Sequence, residues 1–364
     1  MDTALYSSAL YVDMNIFDRN IQILTRRHKA VIPVLKSDAY GLGLLPIARA
    51  LTRHAGVKML AVAQVLEGAA LRDGGIGMGI LVLGGTLPRQ WQAAAELGLT
   101  LTVTRPGMIT ELNALGRPVN VHLKIESGLN RNGVRPGEEL TGVIEELKIA
   151  SYVNLTGTYS HFAAAETRNA PWCLAQKEAY DLALSQLEAS GIHPGLRHMS
   201  NSAAAEWMKE AEYDAVRIGR GLYMDAQDAP VGDIREVASW RASIVGLRQL
   251  PAGSRLGYGR GIILEHDTRV AMVNVGYGDG LNHRVASGGP ALVEGQTARL
   301  LGCCMDQSFL DVGDIPCDVG SEVTLFGYDS RGNFLSSQEV ARLCDDEGCG
   351  LTAALGPRVA RIYE

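Results

Sequence analysis

The stretch VIPVLKSDAYGLG, residues 31–43, sets an apolar, β-branched run directly against a lysine, a tyrosine and two glycines. The run reads as a buried strand, and Lys36 falls where that strand ends and a turn begins. An amine at such a mouth is partly desolvated, which lowers its pKa toward the range of a nucleophile or a proton carrier. Gly41 and Gly43 leave the backbone able to turn closely around an anion, with Tyr40 beside them. Taken by itself, the commoner reading of Lys36 is a surface lysine with its ammonium in water.

Outward from this stretch the same rhythm repeats, a short apolar run followed by an amphipathic segment. Further runs fall at residues 59–63, 79–84, 99–103, 119–126, 153–160, 195–200 and 214–219, making eight with VIPVL. Segments such as LPIARALTRHAG and RPGEELTGVIEELKIA between them carry helical spacing and glycine or proline terminators. Eight strands alternating with helices close most economically as a (β/α)8 barrel, with a doubly wound sheet as the alternative. In a barrel, Lys36, Arg131, His161, Asn201 with Ser202, and Gly219–Gly221 follow different strands and meet at one face.

From residue 236 the pattern changes to short alternating runs with glycine turns, as in RVAMVNVGYGDG and SEVTLFGYDSRGNF. The expected organisation is therefore an α/β barrel over 1–235 and a mainly β domain over 236–364, with one short helix near SSQEVARLC. Thr3–Asn15 has strand-like alternation and is a candidate to pair with that second domain.

Composition narrows the function. The 364 residues are 46% hydrophobic, enough for a large core, and the net charge of −6 with no basic block argues against nucleic acid binding. No stretch of about 18 residues is free of charge, and the N-terminus lacks a basic region followed by an apolar core, so a cytoplasmic protein without membrane spans is expected. Six irregularly spaced cysteines suit reduced thiols rather than a disulfide scaffold or structural zinc. Neither a Walker-type loop, a convincing GxGxxG fingerprint nor paired catalytic carboxylates stand out, and no metal is expected.

The motifs KSDAYGLG (36–43), LKIESGLNRNG (123–133), SHFA (160–163), HMSNSAA (198–204), VRIGRGLY (216–223), LGYGR (256–260), VGYGDG (275–280), CMDQ (304–307) and RVARIY (358–363) occur in the order found in one family. The chain resembles the alanine racemases, fold-type III enzymes that use pyridoxal 5'-phosphate. That resemblance implies L-/D-alanine interconversion by two bases, with Lys36 holding the cofactor covalently and Tyr258, from the other subunit of a homodimer with composite sites, acting on the opposite face of Cα. It places the phosphate on Tyr40, Ser202 and the amides around Gly219 and Arg220, with Asn201 also in the cofactor site, and sets Arg217 against the pyridine nitrogen. His161 and Arg217 are the groups expected to favour the Tyr258 phenolate. Arg131 lies near the cofactor's phenolic oxygen and the substrate carboxylate, and Lys124 matches a lysine that is carbamylated in several members. Tyr277 matches an entrance gate for a small amino acid, the Met305 amide a carboxylate contact, and Asp306 the support of that loop.

Several positions depart from the family pattern. Ile218 and Arg220 replace a proline and an apolar residue, Pro357 stands before Arg358 where many relatives have tyrosine, and His283 with Arg284 replaces an arginine. Loss of an aromatic near Pro357 keeps a serine or broader-specificity racemase in view as the alternative. A fold-type III decarboxylase matches the SGLNR, SNSAA and CMDQ set less well, and a noncatalytic cofactor carrier normally lacks the second domain.

Overall fold

Eight short parallel strands, buried along most of their length, alternate with helices between residues 31 and 218. The structure is a computed structural model that describes residues 6–224, 233–258 and 262–364. Thr3–Leu5 of the N-terminal segment, and Gly259 and Arg260 of LGYGR, lie outside the described residues. After β1 (Ser8–Val12) come β2 (Val31–Pro33), β3 (Leu60–Val62), β4 (Ile80–Val82), β5 (Leu101–Val103), β6 (Val119–Lys124), β7 (Val153–Tyr159), β8 (Leu196–His198) and β9 (Val216–Ile218). β2 pairs in parallel with β9, β3 with β4, and β5 to β8 in sequence. Bridges Val34–Ala61, Leu81–Thr100 and His198–Ala215 join these groups, so the ring is closed and a doubly wound sheet is excluded.

Strands such as β2, β3 and β4 are buried at every position, which is why they read as continuous apolar runs, while β7 and β8 keep polar residues at exposed or partly exposed positions. Ile32, Val34, Met59, Ala61, Leu81 and Ala215 pack as one cluster from neighbouring strands and their edges. The surrounding helices present single apolar stripes; Leu44–Leu51 buries Leu44, Ile47, Ala48 and Leu51 at helical spacing.

The β region contains β10 (Ala238–Leu250), β11 (Thr268–Val273), β12 (Pro290–Val293), β13 (Gln296–Cys303), β14 (Ser308–Asp311), β15 (Glu322–Tyr328), β16 (Phe334–Leu335) and β17 (Ala360–Tyr363). They form a nine-stranded sheet in the order β16-β15-β12-β13-β14-β11-β10-β1-β17. β1 enters it antiparallel to β10 and parallel to β17, so the described part of the N-terminal segment does pair with the β region. The β12–β13 hairpin turns on Glu294 and Gly295, both at positive φ, the geometry a two-residue hairpin loop requires.

Among the described residues three short α-helices lie in this region, His283–Ala286, Ser337–Arg342 and Gly348–Ala353, where the sequence pattern suggests one. The third is hidden by its glycines, which are weak helix formers, yet a Cβ at Gly348 or Gly350 would lie 2.4 Å from Ser337 Oγ or 2.3 Å from Asp346 Oδ1.

Contacts divide the chain into two bodies, one of Met1–Phe17, Tyr40–Gly43 and Arg235–Glu364, the other of Asp18–Ala39 and Leu44–Ile234. The first body thus includes the short segment Tyr40–Gly43, while Lys36–Ala39 belongs to the second. Arg361 Nε donates to the Gly41 carbonyl and the Tyr363 hydroxyl to that of Leu42, each at 2.9 Å. Gly41, at φ +83°, has no room for a side chain, since a Cβ there would lie 2.0 Å from the Thr352 carbonyl oxygen. Among the described residues no helix is long and apolar enough to cross a membrane.

Candidate active site

Lys36 leaves the barrel one turn after β2, at the start of an unusual backbone segment. Ser37, Asp38, Ala39 and Tyr40 all have φ between 54° and 58°, a left-handed turn made without a single glycine. Each such residue costs about 1–2 kcal/mol, so the surroundings must hold the turn. Asp38 Oδ1 accepts from the Leu44 amide at 2.7 Å, Glu67 Oε1 from the Ser37 amide at 2.6 Å, and the Leu35 carbonyl from the Ala39 amide at 2.9 Å. The Lys36 side chain itself is exposed in the single chain. The desolvation expected of it is not supplied by the barrel alone, because the strand has already ended where the side chain emerges.

Arg217, on β9, is the electrostatic centre of the same barrel and is only 3% exposed. Nη1 donates to His198 Nδ1 at 2.8 Å and to the His198 carbonyl at 3.0 Å. Nη2 faces the Ser160 carbonyl at 2.6 Å, His161 Nδ1 at 2.9 Å and the Met199 carbonyl at 2.9 Å. A guanidinium can only donate, so both histidines accept through Nδ1 and carry their proton on Nε2. His198 Nε2 therefore donates onward to His122 Nδ1 at 2.9 Å. Tyr159 stacks on His198 at 4.9 Å between ring centroids, and the guanidinium lies 5.0 Å from the Tyr159 ring centre. Burial draws the Arg217 pKa down to about 10, which still leaves it a cation at neutral pH.

The three histidines are neutral. Burial first, and the Arg217 charge second, hold His161 and His198 well below the ordinary range and His122 at about 3. This corrects the expectation that His161 supplies positive charge to a phenolate; Arg217 is the only one of that pair that carries charge. His198 and His122 were not singled out from sequence, since a histidine inside an apolar strand gives no sign of its partners.

The loop after β6 is organised by Glu126, which lies inside the motif LKIESGLNRNG but is given no role by it. Its Oε1 accepts from the Gly128 and Asn130 amides at 2.6 and 2.9 Å, and Oε2 from the Arg131 amide at 3.3 Å. Lys124, 2% exposed, donates to Asn132 Oδ1. Burial, together with the Arg131 and Arg217 charges, pushes the Lys124 pKa down to about 8.

Ser202 Oγ accepts from the Gly219 and Gly221 amides at 3.2 and 3.3 Å, so two backbone donors converge on one oxygen position. The cap of the short helix Ser202–Trp207 falls on Asn201, whose Oδ1 accepts from the Ala204 amide at 2.9 Å. The Asn201 side-chain oxygen is therefore engaged by the helix, while the Ser202 hydroxyl faces the loop of Gly219–Gly221. Gly221 has little space for a side chain, with Ser202 Cβ 3.3 Å from where a Cβ would stand.

These residues fit pyridoxal 5'-phosphate by the chemistry of their donors. Lys36 offers a primary amine, the Gly219 and Gly221 amides already converge on an oxygen, and Arg217 Nε–H makes no hydrogen bond among the described residues. A leftover donor matches the chemistry of an accepting ring nitrogen, and among the described residues no carboxylate hydrogen-bonds to Arg217.

The β body carries the other expected site residues. Tyr258, 83% exposed, sits beside Gly257 at φ +76° on the arm bridged by Arg255 and Ile263. Tyr277 and Met305 come together: the Tyr277 amide donates to the Cys304 carbonyl at 3.1 Å and the Gly278 amide to the Met305 carbonyl at 2.8 Å. A cavity of about 610 Å³ includes Tyr258, Tyr277, His283, Arg299 and Cys303 in its lining. The carboxylate that supports this turn is Asp279 rather than Asp306. Buried Asp279 Oδ2 accepts from the Gly276 amide at 2.9 Å and Oδ1 lies 3.1 Å from Arg358 Nε, whereas Asp306 is exposed and makes no hydrogen bond among the described residues.

Two family models match, "Alanine racemase, N-terminal domain" over residues 12–227 and "Alanine racemase, C-terminal domain" over 237–363. The chain is 34% identical to the alanine racemase of Halothermothrix orenii over 343 residues, covering 92% of this chain and 90% of that one. It is 34% identical to the alanine racemase of Symbiobacterium thermophilum, covering 97% and 96%. Among solved structures, the alanine racemase of Streptomyces coelicolor A3(2) superposes with a TM-score of 0.92 at 29% identity, covering 98% of both chains. The enzyme of Bacillus anthracis with bound L-Ala-P gives 0.90 at 28%, covering 98% of this chain and 95% of that one.

Proposed function

The chain belongs to the alanine racemase family, and on that premise we propose that it interconverts L- and D-alanine with pyridoxal 5'-phosphate held on Lys36. The observation that carries this reading is the buried, donor-only Arg217 in the same barrel as the Lys36 turn and the converging amides of Gly219 and Gly221. When bound, the cofactor supplies the conjugated ring that stabilises negative charge at the substrate Cα.

Lys36 Nζ would hold the cofactor covalently through its primary amine. The Lys36 amine, when not so engaged, would carry the proton at the face of Cα that D-alanine presents, and the Tyr258 hydroxyl of the partner subunit would serve the face that L-alanine presents; the roles reverse with the direction of turnover. A phenol titrates near 10 in water, so its phenolate needs a cation, and Arg217 rather than neutral His161 supplies the charge. Because Arg217 cannot accept a proton, it keeps the ring nitrogen unprotonated and limits charge delocalisation, which favours prompt return of the proton to Cα.

Tyr40, Ser202 and the amides of the Gly219–Gly221 loop hold the phosphate, with Arg220 beside them and Asn201 fixing the helix start. Arg131 meets the substrate carboxylate together with the Met305 amide of the partner subunit, and Tyr277 narrows the entrance for a small side chain. Lys124 is partly neutral near pH 8, the form needed to take up carbon dioxide as a carbamate, and the resulting anion pairs with Arg131. The functional unit is a homodimer with composite sites.

The test is chiral product analysis of the cofactor-loaded protein with L-alanine, L-serine, L-lysine and L-ornithine. Alanine is expected to give the highest kcat/KM. A preference for serine or a basic amino acid moves the substrate to a wider pocket around Pro357, and no D-product from any of the four overturns the racemase reading.

A further inference from the structure

Glu67 lies in the first turn of the helix Val65–Asp73, and its two carboxylate oxygens serve different loops. Oε2 accepts from the Ala63 and Gln64 amides at 2.7 and 3.0 Å, the usual task of an acidic residue in the first turn of a helix. Oε1 does something a cap does not require: it accepts from the Ser37 amide at 2.6 Å, reaching from the end of β3 to the loop that follows β2.

The Ser37 amide lies in the peptide plane that also contains the Lys36 carbonyl, so anchoring it fixes the ψ of Lys36. It is also the first amide of the four-residue left-handed turn, a conformation its side chains do not favour. Asp38 closes the turn at its other end by accepting from the Leu44 amide at 2.7 Å. A tilt of the Lys36 plane is amplified along a four-carbon stem before it reaches Nζ.

We propose that Glu67 is a positioning residue for Lys36, locking the left-handed turn so that the amine meets one face of the substrate Cα at reacting distance. The proposal rests on the reading of Lys36 as the cofactor lysine and proton carrier. Ionised carboxylate oxygens are strong acceptors for amides, and only a side chain with two of them can grip both loops at once.

Glu67→Gln tests it, because glutamine keeps one acceptor oxygen for the helix start and turns a donor-only amide NH2 toward the Ser37 amide, which then has no acceptor there. The variant is expected to bind cofactor at one per chain, with the absorbance of the lysine-bound form titrating at a shifted pH. Its kcat should fall about 10- to 100-fold while KM moves less than about threefold. The primary isotope effect should rise with D-alanine deuterated at Cα and fall with the L-isomer, since Lys36 acts on the D-enantiomer and Tyr258 on the L-enantiomer. Glu67→Asp, which keeps the charge but loses reach, should show the same isotope pattern and serves if the glutamine variant is unstable. A kcat within about twofold of the parent with both isotope effects and the titration unchanged overturns the proposal. Lys36→Ala that retains the lysine-bound absorbance overturns the reading beneath it.

Discussion

The Lys36 turn and the Tyr258 arm carry the two proposed bases, and they are built in opposite ways. Around Lys36 the backbone is strained and pinned: four left-handed residues are held by Glu67, Asp38 and the Leu35 carbonyl, in a barrel whose buried Arg217 has acceptors for both terminal nitrogens. Around Tyr258 there is an isolated bridge and a glycine at positive φ, and the tyrosine projects with most of its surface exposed. One base is fixed by the chain that owns it. The other is displayed by its own chain, and on the dimer reading it is fixed only by the subunit it serves.

The largest test of this contrast is loss of the fixed base. Lys36→Ala should abolish the absorbance of lysine-bound cofactor and lower turnover by at least about 10³-fold, because it removes both attachment and one proton carrier. Tyr258→Phe should keep that absorbance and lose about 10²- to 10⁴-fold in kcat, with solvent deuterium incorporation from L-alanine suppressed. Mixing the two inactive variants then separates the halves. If each site takes Lys36 from one subunit and Tyr258 from the other, random heterodimers contain one intact site and recover roughly a quarter of parent activity. No recovery after verified subunit exchange would place both bases in one chain.

The contrast also governs what was legible beforehand. Most barrel strands announce themselves through short apolar runs, because buried strands tolerate little else, whereas β8, Leu196–His198, is marked only by its place in the rhythm; Lys36 is conspicuous as the charge that ends the first run. The supports are not conspicuous. Glu67 looks like an ordinary helix-start acid and Glu126 like a loop acid, since their second partners lie on other segments or on backbone amides. The left-handed Ser37–Tyr40 turn leaves no trace in composition, because none of its residues is glycine. Asp279 rather than Asp306 anchors the Tyr277 turn for a similar reason: one acid lies in the glycine-rich run VGYGDG and the other in the turn CMDQ, and only the fold decides which one is buried beside Gly276 and Arg358.

The smallest expected effect compares how the two bodies treat a buried charge. Arg217 meets carbonyls and histidine nitrogens around its guanidinium, whereas buried Glu236 in the β body accepts from the Ser337 amide at 3.3 Å through Oε2 and leaves Oε1 without a partner among the described residues. Burial therefore raises the Glu236 pKa from the ordinary 4.5 to about 7. Between those two values the folded chain retains a proton that the unfolded chain has released, so stability falls as pH rises through this window and levels off above the folded pKa. The full cost is about 3 kcal/mol, since each tenfold change in proton affinity corresponds to roughly 1.4 kcal/mol. Glu236→Gln removes the titration while keeping the shape. It should match the parent in urea unfolding near pH 4 and exceed it by up to about 3 kcal/mol near pH 8. An equal difference at both pH values would mean that Glu236 ionises freely in the folded β body, and that this body satisfies its buried charge as fully as the barrel satisfies Arg217.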